Sequence, residues 1–133
     1  MKVVWTNGCF DVLHRGHVEL FKYAKSLGDF LVVGVDDDKR VKQSKGETRP
    51  INNLEDRIEM LRSIRYIDDV VWFGHDDELD AQVLSSGAEI MVVGSDYENK
   101  NVIGSRHVGE VKFYEKIDGY STTKTISKLN GEA

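Results

Sequence analysis

The chain has 133 residues, of which 40% are hydrophobic and 31% charged, without low-complexity tracts or internal repeats. This length predicts one domain, residues 1–133, with a substantial core. The net charge of −5 and the lack of a lysine–arginine cluster argue against a nucleic-acid partner. The lone Cys9 excludes an internal disulfide and a cysteine-cluster metal site. No stretch resembles a signal peptide or reaches the roughly 20 apolar residues of a membrane span, so we expect a cytoplasmic protein without a membrane partner.

Short apolar runs alternate with segments of helical spacing along the whole chain. The predicted strands are residues 3–6, 31–35, 70–73, 90–93 and 110–114, and the first helix is predicted over 15–27, ending at Gly28. One later helix is predicted to begin after a cap at Asn52 or Asn53, and another to end at Gly87. The last helix is predicted to follow residues 121–123. This alternation predicts an α/β fold: a single Rossmann-like, doubly wound parallel sheet of five strands with helices on both faces.

The stretch from Thr6 to His17 joins the first strand to the first helix. Ligands of open α/β sheets bind at this kind of junction. His14 and His17 are three residues apart, so they share one face of the first helical turn. The free N–H groups of that turn favour anions, which predicts a phosphate site.

The histidine pair has other interpretations. His14 and His17 could be zinc ligands, although no further ligand cluster is present. One of them could be a nucleophile or general base, or both could be surface residues. His75 and His107 have no comparable surroundings and are assigned no role. Cys9 is interpreted as a small packed thiol.

Two polar segments separate the next elements. The aspartates at 36–38 are interpreted as a solvated turn and short helix, with a calcium cluster as the alternative. Residues 42–53 form a polar connection that contains Lys45, Gly46, Arg49 and Pro50. Loops of this length in compact domains usually have a function.

Neither the P-loop pattern nor the dinucleotide glycine pattern is present, which argues against a P-loop kinase or a nicotinamide dehydrogenase.

Several motifs together resemble a known family. The H-x-G-H segment His14–His17, preceded by residues 6–11, is similar to the signature of cytidylyltransferase-like nucleotidyltransferases. Residues 45–57, 94–97, 103–105 and 119–123 resemble the heptose 1-phosphate adenylyltransferases in particular. The resemblance covers nearly the whole chain, in order. The next most similar group, glycerol-3-phosphate cytidylyltransferases, has an arginine-containing motif before the last helix, where this chain has Lys116.

The resemblance implies a reaction. A sugar phosphate oxygen attacks the α-phosphorus of ATP and pyrophosphate leaves, with Mg²⁺ carried by the triphosphate. The alternatives are a CTP-dependent glycerol-3-phosphate cytidylyltransferase and a nucleotide-binding regulatory module without turnover. Relatives suggest a homodimer.

The resemblance also assigns residues. His14, His17 and Lys45 would be catalytic, with His17 as donor to the α-phosphate. Lys45, Arg49 and Arg57 would bind the sugar phosphate, and no residue is assigned to a metal. The nucleotide-binding residues would be Thr6, Gly8, Cys9, Phe10, Asp11, Gly16, Gly94, Asp96, Tyr97, Gly119, Ser121, Thr122 and Thr123.

Overall fold

The computed structural model describes residues 1–131, and its centre is a five-stranded parallel sheet with the order β3-β2-β1-β4-β5. This confirms the predicted fold class. The strands are β1 (Val3–Gly8), β2 (Phe30–Asp36), β3 (Asp69–Phe73), β4 (Ile90–Gly94) and β5 (Glu110–Tyr114). The helices are α1 (Arg15–Ser26), α2 (Asp38–Lys45), α3 (Leu54–Arg62), α4 (Asp76–Ser86) and α5 (Thr122–Leu129), with 3₁₀ turns at Ser95–Tyr97 and Ser105–His107.

Each face of the sheet packs into its own core. Successive side chains of a strand point to opposite faces, so β1 contributes Val4 to one core and Trp5 to the other. The first core receives Phe21 from α1 and Leu61 from α3. The second receives residues of α4, including Leu79. Helices therefore cover both faces, as continuous apolar strands require.

Local sequence signals fix most helix ends. The Asn53 side chain accepts a hydrogen bond from the backbone N–H of Asp56, which confirms the predicted cap of α3. Gly87 ends α4 in the left-handed conformation, with φ of 67°. Gly28 follows α1 as predicted but is not left-handed. A Cβ there would lie 2.7 Å from the carbonyl oxygen of Lys2, so close packing requires this glycine.

The polar segments differ in part from expectation. The aspartates begin α2, where Asp37 accepts a hydrogen bond from the N–H of Arg40, so the turn and short helix are confirmed. However, α2 continues to Lys45, which was predicted to lie in a loop. The connection before α3 is therefore shorter, and Lys45 occupies a helix end.

None of the helices within residues 1–131 is long and apolar enough to cross a bilayer.

Candidate active site

The site lies where β1 and β4 separate and the strand order reverses. β1 pairs with β2 along its whole length, but its register with β4 contains only Val4 and Trp5. Beyond them, the Thr6 hydroxyl donates to the carbonyl of Val92 at 2.9 Å. Ligands of open α/β sheets bind in this kind of crevice. Thr6 is buried, so its side chain shapes the crevice, and its predicted contact with a nucleotide stays a prediction.

The turn after β1 folds Phe10 into the core. Phe10 and Val12 have φ of 49° and 50°, which side chains of this bulk rarely adopt. The Phe10 ring is 6% exposed and packs edge-on against Phe21 and His17. A Cβ on Gly8 would lie 3.2 Å from this ring. Phe10 thus supports His17, and its predicted place beside the nucleotide stays a prediction.

His14 and His17 cap the first turn of α1 together. The Nδ1 of His14 accepts the backbone N–H of Gly16 at 3.0 Å. The Nδ1 of His17 accepts the backbone N–H of His14 at 3.2 Å. The two imidazole rings stack with their centroids 3.9 Å apart. Each ring orientation is therefore fixed by a backbone group of the turn itself.

This geometry determines the protonation state. Burial, the neighbouring His14 and the charge of Lys116 lower the pKa of His17 to about 3. Burial and Lys116 also lower the pKa of His14. Both rings are thus neutral at pH 7, and because each Nδ1 lone pair is occupied, the proton resides on Nε2. A protonated Nε2 donates a hydrogen bond and has no lone pair for zinc or for a substrate proton. The pair suits phosphate oxygens.

The last loop meets the first one beside these histidines. The Thr122 hydroxyl donates to the carbonyl of Asp11 at 2.7 Å. Ser121 caps α5 by accepting the N–H of Lys124. A Cβ on Gly16 would lie 2.8 Å from the His14 ring and 3.2 Å from the Cβ of Tyr120. The structure thereby brings the start of α5 next to the start of α1, and Gly16 makes this approach possible.

Asp11 performs a structural task at this junction. Its carboxylate accepts the backbone N–H groups of Ile51 and Asn52, at 2.6 and 2.9 Å. The side chain has no exposed surface. The Asp11 carboxylate therefore fixes the segment before α3, and the predicted contact of Asp11 with a nucleotide stays a prediction.

Arg57 is also structural. Its guanidinium is 1% exposed and donates four hydrogen bonds of 2.7–3.0 Å to protein oxygens, while the predicted contact with a sugar phosphate stays a prediction. The acceptors belong to four segments of this edge: the carbonyls of Cys9, Asp36 and Asn52 and the carboxylate of Asp38.

The Cys9 thiol is held within the protein. It donates to the Asp36 carboxylate at 3.1 Å. Burial, reinforced by Asp36, raises the pKa of Cys9 to about 12, against the opposing charges of Lys45 and Arg57. The thiol is therefore protonated at neutral pH, consistent with its interpretation as a packed group. The predicted contact of Cys9 with a nucleotide stays a prediction.

The remaining predicted residues stay accessible at this edge. Lys45 is exposed at the end of α2, and its positive charge acts to lower the pKa of Cys9. Asp96 and Tyr97 are exposed after β4, and a Cβ on Gly94 would lie 2.5 Å from the Asp96 carboxylate. Gly119 is left-handed, with φ of 89°.

Two residues near the histidines were not singled out in the sequence. Tyr120 stacks on His14 at a centroid distance of 6.1 Å, and Lys116 lowers both histidine pKa values. Lys116 was noted in the sequence only as a departure from an arginine-containing motif, and a cation so close to the start of α5 was the available signal.

Residues 1–131 contain no group of three His, Cys, Asp or Glu side chains placed to hold a metal ion.

The sequence comparison identifies the class of protein. The chain belongs to the cytidylyltransferase-like family, whose model matches residues 5–128. This is a family of nucleotidyltransferases, which confirms the resemblance carried by the sequence motifs.

Individual relatives are similar to this chain over most of its length. The chain is 45% identical over 129 residues to the bifunctional protein HldE of Campylobacter fetus subsp. fetus, covering 97% of this chain and 28% of that protein. HldE of Marinomonas sp. is 46% identical over 134 residues, with the same shares. The chain thus spans little more than a quarter of these relatives. The crystal structure of a lipopolysaccharide core biosynthesis protein from Thermoplasma volcanium GSS1 superimposes with a TM-score of 0.73 at 27% identity, covering 89% of this chain and 99% of that one.

Proposed function

We propose that this chain is a nucleotidyltransferase that joins the nucleoside monophosphate of ATP to a sugar phosphate of the heptose 1-phosphate type and releases pyrophosphate. The observation that best supports this proposal is the geometry of the histidine pair. Both Nδ1 atoms accept backbone N–H groups, which leaves two neutral Nε2–H donors at the mouth of the crevice. The similarity to HldE and to a lipopolysaccharide core biosynthesis protein supports a sugar phosphate as acceptor.

For this reaction the protein has to position the two substrates and to stabilise the negative charge on their phosphates. An oxygen of the sugar phosphate attacks the α-phosphorus, and the bond from that phosphorus to the bridging oxygen breaks. The acceptor is already an anion, so no protein base is required. Donors aimed at oxygens that gain charge in the transition state supply the rate acceleration. His17 would donate to the α-phosphate and His14 to a neighbouring triphosphate oxygen.

The other contacts come from the loops gathered around the histidines. Backbone N–H groups at Gly8 and the start of α5 would bind triphosphate oxygens, with help from Ser121 and Thr123. The N–H of Gly16 is already donated to His14, so Gly16 would contribute by leaving room for the phosphate to approach closely. Gly94, Asp96 and Tyr97 would approach the ribose or base, beside the turn at Gly119. Lys45, exposed at the end of α2, would neutralise the acceptor or the triphosphate. Mg²⁺ would arrive on triphosphate oxygens and water.

Pyrophosphate release tests this proposal. The chain is incubated with ATP or CTP, each crossed with heptose 1-phosphate, other sugar 1-phosphates and glycerol 3-phosphate. We expect release with ATP and a sugar 1-phosphate, and its loss in His17→Ala. Release with CTP and glycerol 3-phosphate would replace this assignment by the cytidylyltransferase one. Nucleotide binding without release for any pair would contradict enzymatic function and support a regulatory module.

A further inference from the structure

The aromatic rings around the histidine pair form one continuous series. Phe21 packs against Phe10 with ring centroids 5.0 Å apart, and Phe10 packs against His17 at 5.7 Å. His17 stacks on His14 at 3.9 Å, and His14 stacks on Tyr120 at 6.1 Å with the two ring planes 24° apart. The series therefore begins in the core beside the sheet and ends at a tyrosine of the loop between β5 and α5.

The two histidines are supported differently within this series. The ring next to His17 is Phe10, which is 6% exposed and belongs to the core. His14 accepts the N–H of Gly16 and, besides His17, is in contact with the ring of Tyr120, which is 39% exposed. The inner histidine is thus held by the core, whereas the outer one is held by a residue of the last loop.

The chain on both sides of Tyr120 keeps its ring in this place. Gly119 has φ of 89°, a conformation that favours glycine, so the backbone can turn directly before the tyrosine. Two residues after Tyr120, the Thr122 hydroxyl donates to the carbonyl of Asp11 at 2.7 Å and anchors the loop to the turn after β1. A Cβ on Gly16 would lie 3.2 Å from the Cβ of Tyr120, so the tyrosine packs closely against the first turn of α1. The backbone of the loop therefore sets the position of the ring.

We propose that Tyr120 is a positioning residue for nucleotidyl transfer, whose ring holds the imidazole of His14 in the orientation that donates to the triphosphate. A donor to transition-state charge is effective only when its geometry is fixed, and an imidazole stacked on one neighbour alone has more freedom to tilt. The tyrosine ring also keeps water from the imidazole. Burial is the main cause of the lowered pKa of His14, and the charge of Lys116 is the second. The donor role of His14, but not its contact with Tyr120, rests on the function proposed above.

Three variants test this role. Tyr120→Ser removes the ring, and Tyr120→Phe keeps the ring but removes the hydroxyl, which has no part in the proposal. Phe113→Ser is the matched control, because Phe113 is an aromatic residue of the same 39% exposure on β5. Pyrophosphate release gives kcat and KM for ATP, and ¹H–¹⁵N NMR of imidazole-labelled protein gives the tautomer and pKa of His14.

The ring and the hydroxyl are expected to separate in these measurements. We expect Tyr120→Ser to lower kcat about tenfold and to change KM for ATP by less than about threefold, because the donor acts in the transition state. The same variant should raise the pKa of His14 toward 6.5, since water then reaches the imidazole. Tyr120→Phe and Phe113→Ser should stay within about twofold of wild type in kcat and leave the pKa of His14 unchanged.

The NMR measurement distinguishes positioning from a contribution to stability alone. An unchanged tautomer and pKa of His14 in Tyr120→Ser would overturn the proposal, even if the variant unfolded at a lower temperature. A changed His14 with wild-type kcat would also overturn it, because the ring would then not serve the reaction. If wild type releases no pyrophosphate with any substrate pair, the proposed function fails, whereas the His14 resonances still decide whether Tyr120 positions this ring. Should Tyr120→Ser not fold, Tyr120→Leu, which keeps an apolar side chain without a flat ring, decides in the same measurements.

Discussion

The backbone N–H of His14 donates to Nδ1 of His17, and the two imidazole rings stack 3.9 Å apart. The first turn of α1 therefore sets the tautomer of its own histidines. Since Nδ1 of His14 is likewise occupied by Gly16, both rings carry their proton on Nε2. One local feature thus joins helix capping to the proposed recognition of phosphate.

Replacing His17 by alanine removes one of these donors. We expect kcat to fall about 10²- to 10³-fold, the typical effect of losing a donor that stabilises transition-state charge. His75→Ala is the matched control, because His75 also caps a helix, α4, but lies outside the site. Steady-state pyrophosphate release and circular dichroism check the result. Near-wild-type turnover in His17→Ala would remove His17 from the mechanism.

Replacing Lys45 by alanine tests the exposed cation at the end of α2. We expect KM for the sugar phosphate or the triphosphate to rise about tenfold, because one charged contact is lost. Lys42→Ala, one turn earlier and equally exposed, should leave both KM values unchanged. Identical kinetics in the two variants would make Lys45 an ordinary surface lysine.

Asp11→Asn tests the buried carboxylate that fixes Ile51 and Asn52. An asparagine lacks the charge beside Arg49 and the second acceptor oxygen, so we expect the free energy of unfolding to fall by about 3 kcal/mol. Urea denaturation measures this change. Asp77→Asn, on the exposed first turn of α4, should stay within about 0.5 kcal/mol of wild type. A similarly small effect for Asp11→Asn would show that its hydrogen bonds contribute little.

The histidine pKa values predict how stability depends on pH. His17 has a folded pKa of about 3, below its unfolded value of 6.5, so the unfolded chain binds more protons between these limits. Stability is therefore present above pH 6.5 and decreases as pH falls toward 3, with a slope from His17 of up to about 1.4 kcal/mol per pH unit. Urea unfolding of wild type and His17→Gln between pH 4 and 7.5 measures the slope. Equal slopes in the two proteins would mean that His17 titrates normally.

Local patterns in the sequence predicted the fold well. β5 was predicted with its observed limits, and Asn53, Gly87 and Ser121 end or cap their helices as expected. These features depend on neighbours within a few residues. The end of α2 was missed because polar residues such as Lys42 and Lys45 carry little periodicity.

The individual tasks of the site residues could not be predicted. The motif resemblance assigned Asp11 and Arg57 to ligands, but each has a hydrogen-bond partner at least 40 residues away, Ile51 for Asp11 and Cys9 for Arg57. A pattern of residue types does not reveal whether a charged side chain will be satisfied by distant backbone groups. Arg49 and Arg57 look equivalent in sequence, but within residues 1–131 Arg57 makes four hydrogen bonds and Arg49 makes one.

The tautomer of the two histidines is the most direct test of this account. Long-range ¹H–¹⁵N NMR of imidazole-labelled protein at pH 7 reports which ring nitrogen carries the proton, before and after addition of ATP with Mg²⁺. We expect both His14 and His17 to carry it on Nε2, and the Nε2 resonances to shift when the triphosphate binds. A charged ring, a proton on Nδ1, or resonances unchanged at saturating ATP would contradict the proposed phosphate donors.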